Sequence, residues 1–202
     1  MSPQKQLPHR KISSRVWFIL IIFAGIVAII PLLASVEPST CTGQEAMDSG
    51  INNFFKKDPP APITDVPFFD KNNDEVRLSD YMGTPLVMNF WATWCPPCVA
   101  EMPALDRLKD LLADSGIDVL AIDEDRDGAE LTAKFYEANQ ITNLDILIDR
   151  KTALIKAAGI SALPTTLFID ADGNEIATVI GETEWDSSEV VAFVKACLLP
   201  EN

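Results

Sequence analysis

The sequence predicts an α/β domain, with a central mixed sheet flanked by helices, preceded by a single transmembrane helix. Two observations carry this prediction. After residue 62, short β-rich runs alternate with segments of helical periodicity, which is typical of βα units. Before them, residues 16–36 contain no charged side chain and are long enough to cross a hydrocarbon layer of about 30 Å. The 202 residues suffice for one membrane anchor and one domain of ordinary size.

A basic tail, residues 1–15, precedes the apolar run and contains four Lys or Arg residues and no acid. The rest of the chain holds 12 of the 16 basic residues and all 30 acidic ones, a net charge of −18. The positive-inside bias therefore predicts a single-pass inner-membrane protein with a cytoplasmic tail and a periplasmic domain. A cleaved signal peptide is the alternative, but its apolar region is usually about 7–15 residues and ends at a small-x-small site. Residues 32–36 read LLASV and contain no good small-x-small site, so the sequence favours an uncleaved anchor that spans residues 16–36.

Residues 37–62 are predicted to be a linker with room for one short helix, because they contain four prolines and only a brief apolar patch. The domain, predicted over residues 63–202, begins with a β-hairpin in which KNND forms the turn between VPFFD and EVRL. The continuous apolar run PLVMNFW, residues 85–91, is typical of a buried strand. Apolar side chains three or four residues apart then predict a helix over about 95–113.

The second half of the domain continues the alternation of strands and helices. In chain order, the predicted elements are strand 117–123, helix 129–139, strand 144–149, a short helical piece over 152–159, strand 165–170, strand 175–181 and helix 187–199. The sequence Ala-Asp-Gly-Asn at 171–174 predicts a tight turn that joins the last two strands into a hairpin.

Composition excludes several classes of mechanism. The chain has a single histidine, His9, which lies in the basic tail. Catalysis by an imidazole in the domain, His-ligated metals and His-ligated haem are thereby excluded. The acidity leaves no basic patch to hold phosphates, so nucleic acid is not an expected partner. We predict no cofactor and no metal, and the four cysteines remain to carry the chemistry.

Cys95 and Cys98 form a Cys-Pro-Pro-Cys motif at the junction of the predicted buried strand and helix. A thiolate at a helix N-terminus is stabilised by the macrodipole and the unpaired first-turn amides, so Cys95 is the expected attacking sulfur. Two intervening residues let the second sulfur reach the first and resolve a mixed disulfide. A zinc site would need further nearby ligands, and a c-type haem motif would need histidine where Val99 stands. The pair is therefore predicted to be redox-active.

The run NFWATWCPPCVAEMPAL resembles membrane-anchored thioredoxin-like thiol:disulfide oxidoreductases of the TlpA and ResA type, and the similarity extends over about residues 62–199. Pro103, eight residues after Cys95, corresponds to the proline that kinks the active-site helix of thioredoxin-like proteins. An insertion around residues 123–143 also resembles this branch. The resemblance implies a thioredoxin fold and protein-disulfide oxidoreductase activity at Cys95 and Cys98.

The resemblance also implies roles outside the motif. Leu163 and Pro164 match the cis-proline loop that faces the cysteine pair and binds the substrate backbone; otherwise Pro164 would simply start an edge strand. Thioredoxin has a buried aspartate where Asn89 stands here. Glu101 matches an acid that tunes the cysteines in the ResA-like branch, and is the candidate for proton transfer to the second cysteine; the alternative is a solvated first-turn acid. Trp94 is expected to contact substrate.

The direction of electron flow follows from the two middle prolines, which supply no side-chain donor and remove two backbone donors near Cys95. We therefore expect a reductant or isomerising partner, with a potential nearer the roughly −270 mV of thioredoxin than the oxidant extreme near about −120 mV. The resemblance implies exported protein substrates with disulfides or cysteine pairs, in cytochrome c or copper-site maturation. It also implies a membrane electron donor that re-reduces the pair, and the bilayer is a partner through residues 16–36.

Cys41 and Cys197 leave two interpretations open. An even number of cysteines in an oxidising compartment favours a structural bridge, and TlpA-type proteins have a second disulfide that involves the N-terminal extension. Alternatively, Cys197 is a small buried core residue and Cys41 a free or intermolecular thiol.

Two other functions are alternatives to the oxidoreductase. A non-catalytic thioredoxin-fold binding or metallochaperone module would need extra soft ligands or a histidine in the domain. A peroxidase would need a cysteine in a Pro-x-x-x-Thr/Ser-x-x-Cys setting, which Cys95 lacks.

Overall fold

A computed structural model of the protein describes residues 41–126 and 128–199. The predicted tail, residues 1–15, and the predicted anchor, residues 16–36, lie outside the described residues. Among the described helices, none has both the length and the apolar character needed to cross a membrane.

The described residues form an α/β fold built on one mixed sheet. The strands are β1 (Phe54–Pro62), β2 (Phe68–Asp70), β3 (Glu75–Val76), β4 (Leu86–Trp91), β5 (Asp118–Asp123), β6 (Leu147–Ile148), β7 (Thr165–Ile169) and β8 (Asn174–Ile180). The helices are α1 (Gly43–Asp48), α2 (Pro96–Leu112), α3 (Ala129–Asn139), α4 (Ala153–Ala157) and α5 (Ser188–Leu198). The strand order is β1-β8-β7-β4-β5-β6-β2-β3. Strands β4, β5 and β6 run parallel, and the other pairings are antiparallel.

The predicted α/β class with a mixed sheet is confirmed, as are most predicted elements of the domain. The N-terminal hairpin is β2 and β3, which pairs Phe68 with Val76. The predicted strand over 144–149 is shorter in the structure, where only β6 belongs to the sheet. The reason lies just before it, because the Asp106 carboxylate accepts hydrogen bonds from the backbone N–H groups of residues 142–144. Those groups are thereby satisfied by a side chain.

The structure differs from the prediction of a linker over residues 37–62. From Cys41 onwards this segment belongs to the domain: α1 begins with a capping box at Thr42, and β1 pairs antiparallel with β8. The prolines are tolerated because β1 is an edge strand, and its register shifts between Lys56 and Ala61. The proline-rich segment is therefore an edge strand of the sheet and not a linker.

Strand β4 positions the site because it lies between β7 and β5 and is buried along its whole length. Its alternating side chains enter two separate apolar clusters. Val87 and Trp91 pack in the cluster that includes apolar residues of α2 and α5, whereas Leu86, Met88 and Phe90 pack in the cluster that includes Leu154 of α4. Helix α2 therefore begins where a strand fixed on both faces ends.

Candidate active site

Cys95 and Cys98 are joined by a disulfide at the start of α2, four residues after β4 ends. Cys95 is the N-cap, and its Sγ accepts a hydrogen bond from the backbone N–H of Cys98 at 3.4 Å. Pro96 and Pro97 occupy the first helical positions, where a missing N–H costs no intrahelical bond. Cys98 is fully buried and Cys95 is 5% exposed. Cys95 is thus the cysteine that solvent reaches.

A groove with a volume of about 940 Å³ runs past Cys95. Trp94 lines it and is 66% exposed, so its ring is available for contact. Leu163 lines it as well, and the peptide bond from Leu163 to the buried Pro164 is cis. The fold therefore brings together three residues singled out in the sequence, Trp94, Cys95 and Leu163, although about 70 positions of chain separate the first from the last. The rest of the lining comes from α2, the loop after β5, α4 and the loop before β7.

Glu101 lies one turn after Cys98 on α2 and is only 3% exposed, so the interpretation as a solvated acid is wrong. Its carboxylate accepts hydrogen bonds from the backbone N–H of Thr183 at 3.0 Å and from the indole N–H of Trp185 at 2.8 Å. A third donor is the side-chain amide of Asn89, at 2.8 Å. Burial raises the pKa of Glu101 to about 7, and the three donors oppose that increase.

Asn89 links Glu101 to the centre of the sheet. It is fully buried on β4, and the same amide nitrogen donates to the Thr166 hydroxyl on β7 at 2.9 Å. The network therefore joins α2, two adjacent strands and the segment that follows β8. Sequence reasoning found Glu101 and Asn89 but missed Thr183 and Trp185, because no local pattern connects the segment before α5 with the cysteine helix.

Three consecutive acids at the end of β5 were also missed. Burial raises the pKa of Asp123 to about 7 and that of Glu124 to about 9. Asp125 accepts a hydrogen bond from the backbone N–H of Thr93 at 2.8 Å, which ties this segment to the loop before Cys95. Glu124 and Asp125 line the groove. The acids stand at the carboxyl end of a parallel strand beside β4, and this placement was the available signal.

A second disulfide joins Cys41 to Cys197, which are 156 positions apart in the sequence and have their Cα atoms 4.7 Å apart. It fastens the segment before α1 to α5. Neither cysteine lines the groove beside Cys95. In the described part of the chain, no cluster of three or more His, Cys, Asp or Glu residues could hold a metal ion.

Comparison with known proteins decides the family. The model of the AhpC/TSA family matches residues 59–176. The chain belongs to the AhpC/TSA family. Among curated relatives of this AhpC/TSA chain, thiol-disulfide oxidoreductase ResA from Bacillus thuringiensis subsp. konkukian is 30% identical over 141 residues, covering 70% of this chain and 75% of the relative. ResA from Geobacillus thermodenitrificans is 36% identical over 125 residues, covering 60% of this chain and 71% of the relative.

Solved structures agree with this AhpC/TSA fold. The exposed lipoprotein thioredoxin from Streptococcus pneumoniae superposes with a TM-score of 0.56 and 27% identity, covering 65% of this chain and 98% of that chain. A putative thiol:disulfide interchange protein DsbE from Chlorobium tepidum gives a TM-score of 0.58 at 24% identity, covering 67% and 96% respectively.

This AhpC/TSA member is a thioredoxin-like protein-disulfide oxidoreductase of the ResA type, as the sequence resemblance indicated. Enzymes of this kind act on protein substrates that contain disulfides. The peroxidase setting is absent around Cys95, since Ala92 and Met88 stand where Thr or Ser and Pro would be required. The anchor over residues 16–36 stays a prediction.

Proposed function

We propose that this protein reduces disulfides of exported proteins by dithiol/disulfide exchange at Cys95 and Cys98. The observation that carries the proposal is the asymmetry of the pair: Cys95 opens onto a groove, whereas Cys98 is fully buried behind it. An incoming disulfide can therefore meet only the first sulfur, and only the second is placed to complete the exchange.

The reaction begins with the reduced pair. The Cys95 thiolate, at the positive end of α2, attacks one sulfur of the substrate disulfide, and the other substrate sulfur leaves as a thiolate. Cys98 then loses its proton and attacks the Cys95 sulfur, which releases the second substrate thiolate. Two electrons pass to the substrate, and the enzyme is left with the Cys95–Cys98 disulfide seen in the structure.

Other residues of the site support these steps. Glu101 takes the proton of the buried Cys98 thiol, since a carboxyl whose pKa is about 7 can both accept and release a proton near neutral pH. Trp94 contacts the substrate from the exposed rim of the groove. Leu163, which lines the groove, and Pro164, which follows it through a cis peptide bond, bind the substrate backbone.

The cellular setting is part of the same proposal. The apolar run over residues 16–36 anchors the chain in the inner membrane, and the domain works in the periplasm. A membrane electron donor returns the disulfide to the dithiol after each turnover, since a reductant in an oxidising compartment needs a supply of electrons. Cytochrome c and copper-site maturation are the processes in which such a reductant is expected.

A trapping experiment tests the mechanism. In Cys98→Ser, the substrate should stay linked to Cys95 as a mixed disulfide that appears on a non-reducing gel and disappears with reductant. The matched control, Cys95→Ser, should trap nothing and should lose activity in an insulin-reduction assay. Absence of any mixed disulfide in Cys98→Ser would contradict the mechanism. A reduction potential above about −150 mV in a redox titration would contradict the reductive direction.

A further inference from the structure

Glu124 is a groove residue that the exchange reaction does not use. It follows β5 directly and lines the same groove as Cys95. Its side chain is only 6% exposed, and neither carboxyl oxygen has a hydrogen-bond partner among the described residues. Burying a carboxyl without partners is unfavourable. The placement therefore points to a donor that arrives from outside the chain.

The carboxylates around Glu124 already have their donors. Asp125 accepts from the backbone N–H of Thr93. Asp149 accepts from three backbone N–H groups at the start of α4, at 2.7–3.0 Å. Asp123 accepts from the backbone N–H of Asp125 and from a threonine hydroxyl. Glu124 thus stands out as the unsatisfied member of this acidic group.

The charges that face Glu124 come from several elements. Burial and the neighbouring carboxylates of Asp149 and Asp123 raise its pKa to about 9, so the side chain holds a proton in the free groove at neutral pH. Lys156 on α4 acts in the opposite direction, yet the two form no ion pair in the described structure. Arg126 also lines the groove. The acids outnumber the bases here, and a cation is the group that would compensate them.

We propose that Glu124 is a substrate-recognition residue that binds a positively charged side chain of the substrate protein, within a few residues of the cysteine that Cys95 attacks. Both Glu124 oxygens are buried in the free groove, so binding requires the side chain to turn towards the groove, where a guanidinium or an ammonium group offers it several N–H donors. The net charge of −18 after the basic tail attracts basic segments of a partner. This inference rests on the proposed function, because it places the substrate in the groove beside Cys95.

Binding of a cation has a consequence for protons. The ligand interacts with ionised Glu124, so the proton held by the free side chain must leave when the ligand binds. Affinity for a basic peptide should therefore rise between pH 7 and about pH 9, by up to about tenfold per pH unit. Affinity for a neutral peptide should not rise in this way.

The test measures binding without exchange. Two peptides carry serine in place of the target cysteine and differ only in having arginine or citrulline two residues away, so that shape is kept and charge is removed. Titration calorimetry at pH 8 measures the affinity of the full oxidised chain, in detergent, for each peptide. The arginine peptide should bind at least about tenfold more tightly than the citrulline peptide. Glu124→Gln should abolish the difference, whereas Glu137→Gln, a matched loss of an exposed acid on α3, should keep it.

Each outcome decides the proposal. Equal affinities of the wild-type chain for the two peptides, including no measurable binding of either, would overturn it. A preference for arginine that persists in Glu124→Gln would overturn it as well. The pH dependence in the wild-type chain is a second test that needs no variant. Insulin reduction measured on the same preparations reports separately on the exchange reaction, so a failure of the proposed function would be seen as such.

Discussion

Glu101→Gln is the substitution that most directly tests the surroundings of the buried cysteine. Burial raises the pKa of Glu101 from 4.5 to about 7, so the folded domain holds this proton more tightly than the unfolded chain does. The stability from this group is fully present below about pH 4.5 and is lost as the pH rises through about 7. Glutamine has nearly the same shape and cannot ionise, so the variant should not show this loss.

The magnitude follows from the two pKa values. Their separation corresponds to about 3 kcal/mol in the free energy of unfolding, at about 1.36 kcal/mol per pH unit. No large discount for solvent screening applies, because Glu101 is 3% exposed. In the variant, the NH₂ group of the new glutamine would face the N–H donor of Asn89 or of Trp185, so two donors would meet where the carboxylate accepted a hydrogen bond. This mismatch destabilises the variant at every pH, so it cancels when two pH values are compared.

The assay is urea unfolding of the oxidised chain at about pH 4 and pH 8. The stability of Glu101→Gln relative to wild type should increase by about 3 kcal/mol between the two conditions. Asp123 and Glu124 add their own pH dependence, which is common to both proteins and therefore cancels. Glu137→Gln is the control for loss of one acid. Parallel pH dependences in wild type and Glu101→Gln would refute the reasoning.

Three further substitutions have defined outcomes. Trp185→Phe removes an N–H donor that favours ionised Glu101, so the titration midpoint of that carboxyl, measured by NMR, should move upward. The free energy of unfolding should also fall by about 1–3 kcal/mol. An unmoved midpoint would count against the hydrogen-bond network around Glu101. Replacing both Cys41 and Cys197 by alanine opens a link across 156 positions and should lower the unfolding free energy in urea by about 3–5 kcal/mol, with insulin reduction unchanged. Asp106→Ala leaves backbone N–H groups unpaired and should lower the thermal midpoint by an amount equivalent to about 3 kcal/mol, whereas a neutral effect would show that water replaces the carboxylate.

Local patterns were sufficient for the elements that hold the cysteines. The run PLVMNFW is apolar at nearly every position, and β4 is accordingly buried on both faces. The apolar spacing after Cys95 predicted α2 to within about one residue at each end. The helix over 129–139 was predicted with its observed bounds. In each case the periodicity of a single segment determines its structure, and no distant partner is needed.

Long-range partners could not be predicted in the same way. Strand β1 contains three prolines, and only its pairing with β8 at the sheet edge makes it a strand. The donors to Glu101 come from Asn89, twelve positions before it, and from Trp185, eighty-four positions after it. Glu124 is an unremarkable acid in the sequence and becomes informative only when its burial and its unpartnered oxygens are known. Such features depend on tertiary packing, which periodicity does not encode.

The chain has no histidine after His9, so the domain has no imidazole to titrate near neutral pH. Two buried carboxyls titrate in this range, because burial raises the pKa of Glu101 and of Asp123 to about 7, whereas that of Glu124 rises to about 9. Glu101 lies on the helix of the cysteine pair and Glu124 lies in the groove that reaches Cys95. Thiol exchange moves a proton whenever a thiol becomes a thiolate, so groups that titrate near neutral pH are useful beside the sulfurs. Under the proposed mechanism Glu101 accepts the proton of Cys98, so burial gives one carboxyl of this acidic domain the part that an imidazole plays in other enzymes.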